Sequence, residues 1–243
     1  MIAVSILPLF LSVQASAAEP TIEELLLATD DVQRGSSSHA MMRMEVKTRR
    51  YERSMKMEVW SLGTERSLVR ILEPVKDAGI TTLKVDENLW NYLPKVDRTM
   101  KVPSGMMSGS WMGSHFSNDD LVRDSRLSDD FSCSFEARPS GEQADFVIAC
   151  VPGEEAAVVW GKLLVTISGD RVPRSIVYFD EDGERVRTMT YSEVREINGR
   201  MTPMRMELVP HDKEGEYTRM TFEELEIDVE LEESLFSLQA LRD

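Results

Sequence analysis

The side chains best suited to chemistry are few in this sequence. His39, His115 and His211 are its three histidines, and none lies in HExxH or another zinc-spaced cluster. A GxSxG elbow, a glycine-rich phosphate loop and a CxxC pair are all missing. Asp119-Asp120 and Asp129-Asp130 flank a predicted short helix, where carboxylates suit the N-terminus or a solvated loop. Asp180-Glu181-Asp182-Gly183 starts like a calcium loop but lacks the remaining ligand spacing, and a hairpin turn explains it better. Acid–base chemistry would need His115 hydrogen-bonded to Asp119 or Asp120 at the floor of a polar cleft. The expectation is therefore a protein that is not an enzyme and uses neither cofactor nor metal.

Two further groups have chemical potential. Cys133 and Cys150 lie in FSCSFEA and DFVIACV, separated by a turn-forming RPSGEQ. If these runs form a hairpin, pairing the cysteines also pairs Phe135 with Ile148 and Ala137 with Phe146, so that one face is apolar throughout. That register predicts a cross-strand disulfide in an oxidising compartment, with two buried thiols as the alternative. The fifteen methionines include Met42, Met44, Met55 and Met57, which alternate with charged residues. Clustered thioethers can hold Cu(I). Alternation favours the buried face of adjacent strands, either as filled core or as the wall of an apolar cavity, since methionine adapts its shape to varied partners.

The stretch Ser104–Ser117, SGMMSGSWMGSHFS, fits neither helical nor strand periodicity. It sets Met106, Met107, Trp111, Met112 and Phe116 among glycines and serines. Large apolar side chains on a backbone with few steric limits suit a lid that covers apolar material; a loop packed permanently on the core is the other reading.

The elements that must position these groups are mostly strands. Thr21-Ile22-Glu23-Glu24 is a capping-box pattern, opening a helix that carries Leu25, Leu26 and Leu27 and stops near Gly35. Alternating runs then follow, from HAMMRMEVKT to NLWNYLP and, beyond the SNDDLVRDS helix, from FSCSFEA to YTRMTFEELEI, with Ser168-Gly169-Asp170 and Asp182-Gly183 among the turns. The pattern predicts a mainly β (α+β) fold: one curved antiparallel half-barrel sheet of about 11 strands, with the N-terminal helix and a lid over its concave face.

Residues 1–18 hold an apolar run, Ile2–Val13, followed by Ala15-Ser16-Ala17, the A-x-A pattern of a cleaved export signal. The run is shorter than the ~20 residues a spanning helix needs. Residues 19–243 are expected to form a single domain in the periplasm. The formal net charge of −15 argues against nucleic acid and against unspecific adhesion to anionic membranes. Membrane contact is expected to be transient. The basic run Lys47, Arg49, Arg50, Arg53 and Lys56 is a local exception, either a solvated hairpin tip or a docking point for acidic partners or phosphate headgroups.

Leu89–Leu121, LWNYLPKVDRTMKVPSGMMSGSWMGSHFSNDDL, resembles the signature block of the outer-membrane lipoprotein-sorting proteins, relatives of the periplasmic lipoprotein carrier LolA and its receptor LolB. Trp90, Tyr92, Pro94, Arg98 and Lys101 match the first two parts of that block, a Trp-x-Tyr-x-Pro strand and a basic strand, and Gly113, Ser114, Phe116, Ser117, Asp120 and Leu121 match the third. His115 stands where the family has aspartate. The resemblance implies a half-barrel enclosing an apolar cavity, with lipid or lipoprotein acyl chains as cargo and an RND-type inner-membrane exporter as partner. Trp90, Tyr92, Met106, Met107, Trp111, Met112 and Phe116 are then the expected mouth and lid, and Met42, Met44, Met57 and Leu83 the cavity wall. The alternative is an accessory or sensor subunit that docks on an exporter through its surface.

Overall fold

The computed structural model describes residues 19–122, 127–140, 145–153, 156 and 158–242; the expected export signal lies outside them. Helix α1 (Ile22–Asp31) opens as its sequence dictates: Thr21 accepts from the Glu24 amide, and the Glu24 carboxylate accepts from the Thr21 amide at 3.0 Å.

The strands are β1 (Ser37–Lys47), β2 (Glu52–Leu62), β3 (Arg66–Glu73), β4 (Thr81–Val85), β5 (Asn88–Leu93) and β6 (Arg98–Lys101), then β7 (Phe131–Ala137), β8 (Asp145–Pro152), β9 (Lys162–Ser168), β10 (Pro173–Phe179), β11 (Arg185–Ile197), β12 (Arg200–Pro210) and β13 (Tyr217–Ile227). They form one open, curved sheet of thirteen strands rather than about eleven. One strand that alternation leaves unmarked is β6, whose four residues are mostly exposed. The order is β6-β5-β4-β3-β2-β1-β13-β12-β11-β10-β9-β8-β7. The chain thus enters mid-sheet, meanders out to the β6 edge, crosses to the β7 edge, and meanders back to lay β13 beside β1.

The crossover, residues 102–130, is what positions the site. Thirteen strands at ~4.8 Å spacing measure ~58 Å across, so a link between opposite edges has to run over one face. It does so through 3-10 turns at Ser104–Met106 and Trp111–Gly113, then α2 (Asn118–Val122) and α3 (Leu127–Asp130).

Local register follows burial. In β13, Thr218, Met220 and Phe222 are buried in alternation, then the parity shifts so that Leu225 and Ile227 are buried. A bulge opposite Met41/Met42 absorbs the extra residue, keeping both apolar sets on one face. A second bulge shifts Ala137 onto Val147 rather than Phe146, while Cys133–Cys150 and Phe135–Ile148 pair as expected. The Cys133–Cys150 disulfide is formed.

Among the described residues, apolar packing occurs in three clusters. One joins β1, β2, β3, β12 and β13 to the crossover through Trp111. A second packs Leu25 and Leu26 of α1 on β8–β12. The third lies on the opposite face of β2–β5, where Leu68 and Leu83 meet Phe236 and Leu241 of the C-terminal tail.

Candidate functional site

Between the concave face, α1 and the crossover lies a cavity of about 380 Å³. Its wall is laid out in rows by strand pairing. Met42 faces Met57, which faces Ile71; Ala40 faces Val59, which faces Val69, which faces Thr82. Met189, Met206, Met220 and Phe222 extend the apolar lining toward the other wing.

The crossover roofs this space and is tied down at several points. Trp111, 2% exposed, packs on the methionine cluster and donates from Nε1 to Thr82 Oγ1 at 3.3 Å. Arg53 donates to the Met112 carbonyl at 3.2 Å while pairing with Asp77 at 3.1 Å, and Tyr51 donates to the Gly113 carbonyl. Gly113 has φ +72°, and a Cβ there would lie 3.0 Å from the Tyr51 hydroxyl, so glycine serves both the turn and the close approach. His115 bonds Thr218 at 2.8 Å and Glu216 at 3.1 Å, and the Arg49 amide completes the Glu216 carboxylate. The Glu216 carboxyl is held below its usual range by that amide and by His115.

The strongest tie is Asp120–Arg187, a bidentate pair at 2.6 and 2.9 Å. Asp120 also accepts from the Ser117 amide and hydroxyl, and the Arg187 guanidinium lies 4.4 Å from the ring centres of both Trp160 and Tyr178. Burial alone would push the Asp120 carboxyl up; the bonds and charge of Arg187, with those of Ser117, outweigh it and hold it low.

The structure brings only part of the expected site together. Met42, Met57, Trp111 and Phe116 line the cavity. Met44 is buried in the adjoining cluster, and Met112 packs against that cluster's edge. Met106 is 61% exposed and Met107 half-buried, and neither lines the cavity. Leu83, Trp90 and Tyr92 belong elsewhere. Leu83 pairs with Leu68 and Trp90, one residue out of step with the pair of Thr82 and cavity-lining Val69, so this set faces the tail on the opposite side. Alternation ties these residues to one another but does not say which side the crossover will take.

The basic hairpin also reads differently once its neighbours are in place. Lys47 pairs with Glu52, Lys56 with Glu223 and Arg53 with Asp77, so most of its charge is matched locally. His115 meets Glu216 and Thr218 rather than Asp119 or Asp120. Residues missed in the sequence include Arg187, Trp160 and Lys84, all on the cavity wall. Lys84 carried a signal: it sits in ITTLKV, between two apolar strand positions, where a solvated face was not assured.

A family model described as an uncharacterized protein matches residues 63–243. No curated protein matches the chain in sequence. Solved structures share the fold. A protein described as an outer membrane lipoprotein-sorting domain from Vibrio parahaemolyticus is 21% identical, with TM-score 0.77, covering 91% of this chain and 98% of that one. A DUF1329 family protein from Desulfovibrio piger is 18% identical, with TM-score 0.80 and coverage of 90% and 97%. A LolA superfamily protein from Nitrosomonas europaea is 19% identical, with TM-score 0.74 and coverage of 91% and 100%.

Proposed function

We infer the function from this premise: the chain belongs to the family whose model spans residues 63–243, and its fold is that of the lipoprotein-sorting, LolA-like proteins. It binds the apolar part of a lipid or lipoprotein in the cavity beneath the crossover and carries or presents it between membranes, without covalent chemistry. The observation that carries this reading is the hollow itself. A space of about 380 Å³ lies within the ~300–1,000 Å³ of small-molecule sites, and its lining includes the adaptable Met42, Met57, Met189, Met206 and Met220. A sheet with only a structural task would fill that volume, because voids in a core are costly.

The setting we propose is the periplasm, supported by the A-x-A leader pattern and by a disulfide suited to an oxidising compartment. Among the described residues no helix is long and apolar enough to cross a membrane. An RND-type exporter is the proposed partner, on the resemblance of Leu89–Leu121 alone. A second reading, a docking subunit that carries nothing, is favoured by Trp111, which is locked into the core rather than poised to swing.

Mass spectrometry of the protein purified undenatured from its own host decides between them. An acyl-bearing molecule should co-purify, and the variant Val59→Trp, which fills the cavity, should lose it. Ligand-free protein that also fails to bind the uncharged probe N-phenyl-1-naphthylamine would leave only the docking reading.

A further inference from the structure

The cavity wall is not uniformly apolar, and its polarity is ordered. Along one row of the concave face, Ser38 pairs with Ser61, Ser61 with Ser67, and Ser67 with Lys84. All four line the cavity. The next row along the strands is Ala40, Val59, Val69 and Thr82, and the one beyond is Met42, Met57 and Ile71. Rows on one face are ~7 Å apart, so the wall passes from hydroxyls and an ammonium to thioethers within ~14 Å.

Lys84 is the unusual member, at 4% exposed. Lysine is rarely buried to that degree, because desolvating an ammonium costs several kcal/mol unless anionic or polar groups compensate. Its charge reaches Glu65, whose carboxyl is held low first by its own amide, then by Thr64 and by Lys84. Ser38 and Ser61 are also buried, and their hydroxyls lie 2.7 Å apart, so each fixes the other's position in the row. Arg34, just beyond α1, lines the same cavity.

We propose that the cavity takes an amphiphile with an anionic head, a carboxylate or a phosphate, whose head lies against Lys84 and the Ser38–Ser61–Ser67 row and whose alkyl chain lies along Val59, Met57 and Met42. This rests on the lipid-binding reading and adds head-group selectivity and direction to it. Hydroxyls and an ammonium donate to anionic oxygens, while an alkyl chain leaves water only on the methionine side. An uncharged amphiphile of the same length forgoes the charge-assisted hydrogen bonds that an anionic head makes here, which is the basis of discrimination.

The test compares dodecanoate, dodecyl phosphate and 1-dodecanol by isothermal titration of the full chain. At least one anionic probe should bind ten-fold or more tighter than the alcohol, and the two anions together tell carboxylate from phosphate preference. In Lys84→Met that advantage should fall below three-fold. Equal binding of all three probes to the parent overturns the head-group proposal and leaves the apolar carrier reading standing. Binding of none overturns both. An anionic preference that survives in Lys84→Met overturns the assignment to Lys84. Should that variant not fold, Ser67→Val serves in its place, with a smaller loss of the anionic advantage expected and an unchanged advantage counting against the row.

Discussion

Strands β2 and β3 present apolar side chains on both faces, and the two faces are finished differently. On the convex side the C-terminal tail seats Phe236 and Leu241 directly on Leu68 and Leu83, with Trp60 and Trp90 packed around them. On the concave side the crossover drops Trp111 onto the methionines but leaves a hollow beside it. The tail closes its face mainly by apolar contact, helped by Arg70 donating to the Ala240 carbonyl and Arg66 pairing with Glu233. The crossover is secured chiefly through polar ties at its flanks, from Arg53, Tyr51, His115 and Asp120. A cover held at its edges can span an incompletely filled interior, whereas a cover held by apolar contact has to fill it.

The widest gap between the faces should come from deleting volume on the filled side. Leu83→Ala removes a side chain 1% exposed and should cost about 3–5 kcal/mol in denaturant unfolding, while N-phenyl-1-naphthylamine still binds with unchanged affinity. Val59→Trp on the hollow side should do the reverse, with probe binding lost and stability altered by less than about 1.5 kcal/mol. If both variants behave alike, the distinction between the faces fails.

Releasing a polar tie comes next. Asp120→Ala leaves the Arg187 guanidinium buried without its bidentate partner and should cost about 3 kcal/mol. The pH dependence has a defined sign. Because the folded Asp120 carboxyl lies below its unfolded value, its contribution is complete above the ordinary aspartate pKa of ~3.9 and is lost as pH falls through the lower folded value. Acid unfolding of Asp120→Ala should therefore be shallower across that window. The smallest effect is expected of Trp111→Phe. It forfeits the bond to Thr82, about 1 kcal/mol, keeps most of the packing, and should change probe affinity only slightly.

What the sequence disclosed was local. The Thr21–Glu24 cap is a contact across three residues, and the alternation of Met42, Met44 and Met57 marks one face without reference to any distant segment. The cysteine register needed only a hairpin, and it held as far as Phe135–Ile148 before a bulge altered it. The misplaced residues required global information. Leu83, Trp90 and Tyr92 share a face by parity, but whether crossover or tail covers it depends on how the edges are linked. The Ser38–Ser61–Ser67–Lys84 row and the Asp120–Arg187 pair join residues from separate strands and loops, so no window of sequence contains them.

The placement of β13 beside β1 bears on how the molecule is assembled. Each wing of the sheet consists of hairpins between neighbours in the chain, which need little searching, but the seam joins Ser38 to Ile227 and Lys47 to Tyr217. Pairings so distant in sequence close late and slowly. A chain emerging from a ribosome or translocation pore could zip its first hairpins early, yet its midline would stay unzipped until the final strand arrived. During that interval β1 is a bare edge that invites partners from other chains, and a chaperone shielding it would act at the molecule's most vulnerable moment.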